Sequence, residues 1–329
     1  MDSVNLACVG VGYWGKNLVR NFYNLPGANL KGCCDLNQDL LSKTAEQYPG
    51  VATTSDYTQV LQSPDIEAVV IASPAVVHYD LAKQALEAGK HVYVEKPLTL
   101  RSDHAEELCD IAEQKGLTLM VGHLMEYHPA VEKLKELVDS GELGDIRYIY
   151  AQRLNLGIVR QDENAFWSLA PHDISIVLYL LDEEPVSCEA SGGAYLQDGL
   201  EDVVFCNLKF ANDKMANIHV SWLDPHRVRR VTVVGSEKMA VFDDTEPTEK
   251  IRIYDKGVDY GDYQSYGDAL TLRAGDIVIP RIDMTEPLKV ECQHFVSCVR
   301  TGDTPRSDGR DGLRVVRVLE AATSPRNTR

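Results

Sequence analysis

The chain has 329 residues, 44% of them hydrophobic and 25% charged, which is enough apolar material for one large core or two medium ones. With 50 acidic against 33 basic residues the formal net charge is -17. That excludes a broad surface for nucleic-acid phosphates or anionic lipid, and leaves any anionic ligand to be held by local groups. The apolar run Leu6–Val11 is too short for a signal-peptide core and lacks a basic flank, and no stretch approaches the roughly 20 apolar residues of a membrane span. A soluble cytoplasmic protein is expected. Cys8, Cys33, Cys34, Cys109, Cys188, Cys206, Cys292 and Cys298 form no Cys-x-x-Cys pair, and Cys8 and Cys206 lie in apolar, strand-like runs. Buried free thiols and no metal site are therefore expected.

In chain order, Val4–Val9, Leu30–Cys34, Ala68–Ala72, His91–Val94 and Thr118–Val121 read as buried parallel strands. Lys16–Asn24, Leu40–Gln47, Tyr57–Gln62, Tyr79–Ala88 and Ser102–Lys115 show helical spacing between them, with Gly89 and Gly116 at helix ends. This alternation predicts a doubly wound parallel sheet with helices on both faces. After a helix over Ala130–Ser140 the pattern changes. Ile146–Leu154, Ser187–Tyr195, Val203–Phe210, Met215–Trp222, Arg229–Val234, Met239–Asp243 and Lys250–Tyr254 alternate like successive antiparallel strands. A helix over Asp173–Leu181 interrupts them, and two more, near Val290–Thr301 and Gly309–Thr323, close the chain. The expected organisation is a Rossmann-type α/β domain over residues 1–124. An α+β domain built on a large open, mostly antiparallel sheet follows over 125–329, serving substrate binding and oligomerisation.

Gly10-Val11-Gly12-Tyr13-Trp14-Gly15 is a G-x-G-x-x-G between a strand and a helix. In that setting the glycines allow a tight turn and close backbone approach, so that a pyrophosphate rests on the helix N-terminus. Asp35 lies 20 residues after Gly15, at the end of the second strand, where a carboxylate holds the adenosine ribose hydroxyls. Leu36-Asn37-Gln38 follows it with no arginine. The carboxylate repels a 2′-phosphate, so NAD is expected over NADP. Tyr13 and Trp14 are open between covering the cofactor and packing the helix. Ser73 and Pro74 follow the strand Ala68–Ala72 and border the crevice, and His78 either hydrogen-bonds across the site or caps its helix.

Pro74, His78, Ala85-Leu86-Glu87-Ala88-Gly89-Lys90-His91-Val92 and Glu95-Lys96-Pro97 resemble the signature of the Gfo/Idh/MocA oxidoreductases, which include glucose–fructose oxidoreductase and inositol dehydrogenases. The resemblance spans nearly the whole chain and implies a Rossmann domain joined to an open antiparallel-sheet domain. Oxidising a secondary alcohol requires a group to take the hydroxyl proton while hydride leaves for the nicotinamide. Lys96, at a strand end and followed by Pro97, suits that role, with Glu95 to orient it. In Trp167-Ser168-Leu169-Ala170-Pro171-His172-Asp173, the family's Asp–His pair falls on Ser168 and His172. The departure at Ser168 leaves Lys96 and His172 as the implied acid–base pair, with Asp173 opening the helix. Glu95, Lys96 and Trp167 count among the implied cofactor contacts.

The segment from Trp167 to Ser175 and Phe242-Asp243-Asp244-Thr245-Glu246-Pro247 resemble a narrower group that oxidises the C3 hydroxyl of UDP-N-acetylglucosamine, or of its uronic acid. An aminotransferase then acts on the 3-keto sugar. His123, Glu126, Tyr127 and His128 follow the last Rossmann strand, where the family faces the sugar. Arg153, Asn155 and Arg160 are the cations and polar groups available for a pyrophosphate, alongside His172, Asp173 and Lys96. With no dense arginine cluster in the sequence, the neutral sugar is expected over the uronate. The alternatives are a free polyol or sugar such as inositol, and a non-catalytic NAD-binding regulator, which would not need Lys96 or His172. The family also implies a homo-oligomer, a tetramer or dimer, covering the open sheet.

Overall fold

A computed structural model describes residues 3–157, 159–161, 163–259 and 271–323. The chain divides into two compact units, Met1–Tyr127 with Thr285–Glu320, and His128–Met284 with Ala321–Arg329.

The first unit is built on β1 (Val4–Val9), β2 (Ala28–Cys34), β3 (Ala52–Thr54), β4 (Ala68–Ile71), β5 (His91–Glu95) and β6 (Leu119–Gly122). They form one parallel sheet in the order β3-β2-β1-β4-β5-β6. The strands connect through α1 (Gly15–Asn24), α2 (Gln38–Gln47), α3 (Tyr57–Gln62), α4 (His78–Glu87) and α5 (Ser102–Lys115). Every residue of β4 and β6 is buried, which is why these strands read as unbroken apolar runs: a parallel sheet is covered on both faces. Local signals set the helix ends. Asn37 accepts from the Asp39 and Leu40 amides at the start of α2, Asp56 caps α3, and Gly116 closes α5 in the left-handed conformation. The edge strand β3 was not foreseen, because three residues carry too little pattern to be read.

The two C-terminal helices belong to this unit and not, as the sequence suggested, to the second domain. On α8 (Pro287–Thr301), Leu288, Cys292, Phe295 and Val296 enter the core that holds Leu6, Phe22, Val70 and Tyr93. Phe295 meets Phe22 and Tyr93 edge-on, at centroid separations of 6.3 and 5.7 Å. On α9 (Gly309–Thr323), Leu313 and Val316 join the core on the other face of the sheet. Gly309 and Gly312 have no room for a Cβ against Leu119 and Val121, so this helix lies directly on the end of the sheet.

The second unit starts with α6 (Pro129–Asp139), capped by His128. Its sheet takes β7 (Ile146–Leu154), β8 (Ser187–Gly193), β9 (Val203–Lys209), β10 (Met215–Ser221), β11 (Val228–Gly235), β12 (Met239–Asp243), β13 (Ile251–Asp259) and β14 (Thr271–Val278). The order is β14-β13-β12-β11-β7-β10-β9-β8. The sheet is mostly antiparallel, as expected, with β7 and β10 as the parallel pair, Arg153 opposite Val220. The intervening crossover includes α7 (Ala165–Leu181), which packs on β7, β9 and β10; a parallel return requires such a long connection. The edge strand β14 escaped notice because Gly275 and charged residues break its alternation. Helix α7 starts eight residues before the predicted Asp173, since Asn164 accepts from the Trp167 amide and Pro171 is accommodated inside the helix.

Phe295→Ala should cost about 3–5 kcal/mol, as deletion of a buried aromatic from a packed core does. Urea unfolding would measure it. A loss under 1 kcal/mol would contradict the placement of α8 in this core.

Candidate active site

In a parallel sheet all strands end at one edge, and the order reverses between β1 and β4, where two turns diverge and leave a crevice. The glycine-rich turn starts there, and its glycines do three different things. Gly10, at φ +89°, lies so close to the β4 turn that a Cβ would stand 2.7 Å from the Ala72 carbonyl. Gly15 packs the first turn of α1 onto the Gly10 carbonyl. A Cβ on Gly12 would meet nothing within 4 Å. Gly12 therefore marks open space beside the helix start, the place a pyrophosphate requires.

Asp35 follows β2 and turns toward this loop: its carboxylate accepts from the Val11 amide at 2.8 Å and from the Asn37 amide at 2.9 Å. The acid foreseen for the ribose is thus fixed at the rim of the glycine turn. Tyr13 is 80% exposed, with the Lys16 ammonium over its ring, so it packs no core. Trp14 is half-exposed, and its indole N–H donates to Glu95. Ser73 donates to the Val9 carbonyl at 3.4 Å, and Pro74 precedes the short turn into α4. His78 does not cap α4. Its Nδ1 lies 2.8 Å from the Pro97 carbonyl and its Nε2 2.8 Å from the Ser73 carbonyl, so it ties the β4 turn to the β5 turn. Burial pushes its pKa down, against both carbonyl contacts; a neutral ring donates to one carbonyl at a time.

Lys96 follows the last residue of β5 on the same sheet edge and is half-buried, and its peptide bond to Pro97 is cis. Its backbone amide faces Glu95 Oε2 at 3.3 Å. Glu95 is buried, and burial raises its pKa against the indole of Trp14 and the charge of Lys96. Opposite Glu95 on β6 stands Gly122, where a Cβ would be 2.7 Å from the Tyr93 hydroxyl and 2.9 Å from Glu95 Oε2. The missing side chain at Gly122 makes room for the Glu95 carboxyl.

In the second unit, Trp167, Ser168 and His172 are half-buried on α7, the first two in its opening turn and His172 inside the helix. Asp173 is buried beside them and takes both Nε and Nη2 of Arg153, at 2.7 and 3.1 Å. Arg153, foreseen as a phosphate ligand, is therefore neutralised by a buried carboxylate. Arg160 pairs with Glu163 at 2.9 Å, and Asn155 extends the β7–β10 pairing through its amide to the Ser221 carbonyl. The sequence missed a cationic group that the sheet assembles. Arg229 sits directly opposite Arg153 in the β11–β7 register, and exposed Arg227 precedes it by two residues. Burial and the charges of Arg153 and Arg227 lower the Arg229 pKa, with Asp244 opposing them. Like charges facing each other across strands are destabilising, and Asp173 and Asp244 offset this pair. The acidic pair of the recognised segment is structural: Asp243 binds Thr245 and Arg230, while Asp244 is held well below the usual carboxylate range by His128, despite burial.

His123, Glu126 and Tyr127 are not open to a sugar. Tyr127 is 1% exposed, and its hydroxyl lies 2.9 Å from Ser307 on the segment between α8 and α9. His123 Nδ1 meets Asp311 at 2.7 Å and Glu126 at 3.4 Å, all three buried. These three are near enough to surround an ion, but the Nδ1–Asp311 separation is that of a charge-assisted hydrogen bond. Burial opposes charge on His123, yet the bonds to Asp311 and Glu126 prevail and lift its pKa to about 10. Burial and the Asp311 charge raise Glu126 to about 8. The expectation of substrate contacts here failed because α8 and α9 return to cover this segment, which no local pattern announces.

The glycine turn, the carboxylate at its rim and a lysine on the same sheet edge define an NAD-dependent oxidoreductase. Residues 4–123 match the Gfo/Idh/MocA oxidoreductase family, NAD-binding Rossmann fold, and residues 131–241 match the family's C-terminal domain. The chain belongs to this family. An oxidoreductase structure from Magnetospirillum magnetotacticum is similar at 32% identity, with a TM-score of 0.82 over 98% of this chain and 100% of that one. A scyllo-inositol 2-dehydrogenase of Bacillus subtilis is 27% identical over 98% of this chain and 93% of its own. A UDP-N-acetylglucosamine 3-dehydrogenase of Acidithiobacillus ferrooxidans is 28% identical over 78% of this chain and 79% of its own. Among the described residues no helix is long and apolar enough to cross a membrane.

Asp35→Ala should raise KM for NAD roughly ten- to a hundredfold, the worth of hydrogen bonds to a charged group, and narrow the preference over NADP. Steady-state kinetics with both cofactors check this. The buried His123 group makes a stability prediction as well. His123 and Glu126 both bind protons more tightly folded than unfolded, so their contribution is present at low pH. It falls as pH rises through about 8 and then about 10. The urea midpoint should decline over that range, and His123→Gln should flatten the decline.

Proposed function

We propose that the protein oxidises the C3 hydroxyl of UDP-N-acetylglucosamine to the 3-keto sugar, supplying an aminotransferase that forms a 3-amino sugar. The observation that carries the alcohol-oxidising part is the position of Lys96, at the crevice edge of the sheet and backed by the buried Glu95. NAD, when bound on the glycine turn, accepts the hydride. Lys96 Nζ is assigned to the hydroxyl oxygen, where an ammonium stabilises negative charge as it develops. His172 is assigned to proton removal. The grouping of Arg153, Arg227 and Arg229 supports a substrate carrying phosphates, on a protein whose net charge of -17 would otherwise repel it. The same grouping suits a uronate, so UDP-N-acetylglucosaminuronate is the nearest alternative. A free cyclic polyol is favoured by one observation, that Asp173 already neutralises Arg153, and by the likeness to an inositol dehydrogenase.

One face of the large sheet carries exposed Tyr148, Met215 and Phe205, with His219 stacked on Phe205 at 4.1 Å. A homo-oligomer, a tetramer or dimer, that covers this face is part of the same reading.

Mixing the protein with NAD and UDP-N-acetylglucosamine should produce NADH absorbance, strengthened when an aminotransferase and glutamate remove the keto product. Turnover of scyllo-inositol with no UDP-sugar active would reassign the substrate to a free polyol. Lys96→Met should lower kcat at least about a hundredfold with NAD binding retained. Arg227→Ala should raise KM for the UDP-sugar about tenfold while KM for NAD stays unchanged.

A further inference from the structure

Glu291 is a buried acid on α8, remote in sequence from every motif above. It is 0% exposed, and neither carboxyl oxygen has a partner at hydrogen-bond geometry, although the Tyr93 hydroxyl lies next to it. That hydroxyl also faces Glu95 Oε1 at 3.4 Å. Two carboxyl groups thus flank one phenol in a buried core lined by Phe22, Phe295 and Cys292. The titratable groups facing Glu291 are Tyr93 and Glu95 from β5, Cys292 from its own helix, and His123 and Glu126 from the short turn of helix after β6. Lys96 stands beyond Glu95.

The donors are divided unequally. Glu95 receives the Trp14 indole N–H, the Tyr93 hydroxyl and the Lys96 amide, and has the Lys96 charge beside it. Glu291 has Tyr93 and the charge of His123 against the repulsion of Glu95 and Glu126. Two buried carboxylates so placed cannot both ionise, and the proton goes to the one with fewer donors. Burial lifts Glu291 well above the usual carboxylate range. A phenol has one hydrogen: if Tyr93 donates it to Glu95, its oxygen is left to accept from an acid.

We propose that Glu291 is a positioning residue for Lys96: its protonated carboxyl donates to Tyr93, Tyr93 donates to Glu95, and Glu95 is thereby kept as the anion that pairs with the Lys96 ammonium. The inference deepens the assignment of Lys96 as the group at the reacting hydroxyl and rests on it. Glu291→Gln keeps a donor toward Tyr93, whereas Glu291→Leu keeps only the volume, and Tyr93→Phe breaks the chain from its other end.

The test has two independent readings. Infrared difference spectra of the whole protein should show a protonated-carboxyl band that disappears in Glu291→Gln, whatever Lys96 does. In the pH profile of kcat/KM, Glu291→Leu and Tyr93→Phe should displace the limb set by Lys96 to lower pH by about half a unit or more. Glu291→Gln should restore the wild-type limb. A wild-type profile in folded Glu291→Leu and Tyr93→Phe, or a Glu291→Gln enzyme as displaced as the leucine variant, would overturn the proposal. So would a missing infrared band. An intact band with a fully active Lys96→Met enzyme would instead overturn the role given to Lys96, and with it the positioning role of Glu291.

Discussion

The site depends on one close approach, that of Gly10 to the Ala72 carbonyl and the Ser73 amide. At that point the sheet order reverses, and no side chain fits between the β1 and β4 turns. Because the strands are parallel, the same contact sets Asp35, Ser73 and Lys96 along one edge, each carried by a different strand. Replacing Gly10 with any L-residue adds both a collision and a strained φ. The consequence is electrostatic as well: amide groups at the start of α1, open space at Gly12 and the Asp35 carboxylate at the rim lie together at this point.

Behind that edge the first unit buries an unusual amount of ionisable chemistry. Glu95, Glu126, Glu291, Asp311 and His123 are all withdrawn from water within one core region. Most are tolerable because their neighbours divide charge with them: His123 with Asp311 and Glu126, and Glu95 with Trp14, Tyr93 and Lys96. Helix α8 has a double part in this. Its apolar face completes the core around Phe22, and the same face carries Glu291 to Tyr93. Stability and the charge beside Lys96 are thereby linked through one helix.

The second unit follows a different principle. Its sheet sets Arg153 and Arg229 side by side through register alone, and Asp173 and Asp244 hold them in place. The arginines of Pro225-His226-Arg227-Val228-Arg229-Arg230 are scattered as sequence, because only the β11–β7 pairing decides which face each one takes.

The sequence alone determined the Rossmann fold and its cofactor. Local rules suffice there: apolar runs set the strands, glycines the turn, and an acid 20 residues on completes the dinucleotide fingerprint. It also determined that Lys96 follows a strand end on the crevice side, since that follows from strand direction. Burial and long-range pairing were decided only by the tertiary structure. His123, Glu126 and Tyr127 looked like substrate ligands until α8 and α9, more than 150 residues away, were seen to cover them. Arg153 looked like a free cation until Asp173 came against it. Glu291 carried no signal at all, because an acid in an amphipathic helix reads as solvated unless the helix is known to turn that face inward. Periodicity reports which residues share a face; what that face meets depends on the rest of the chain.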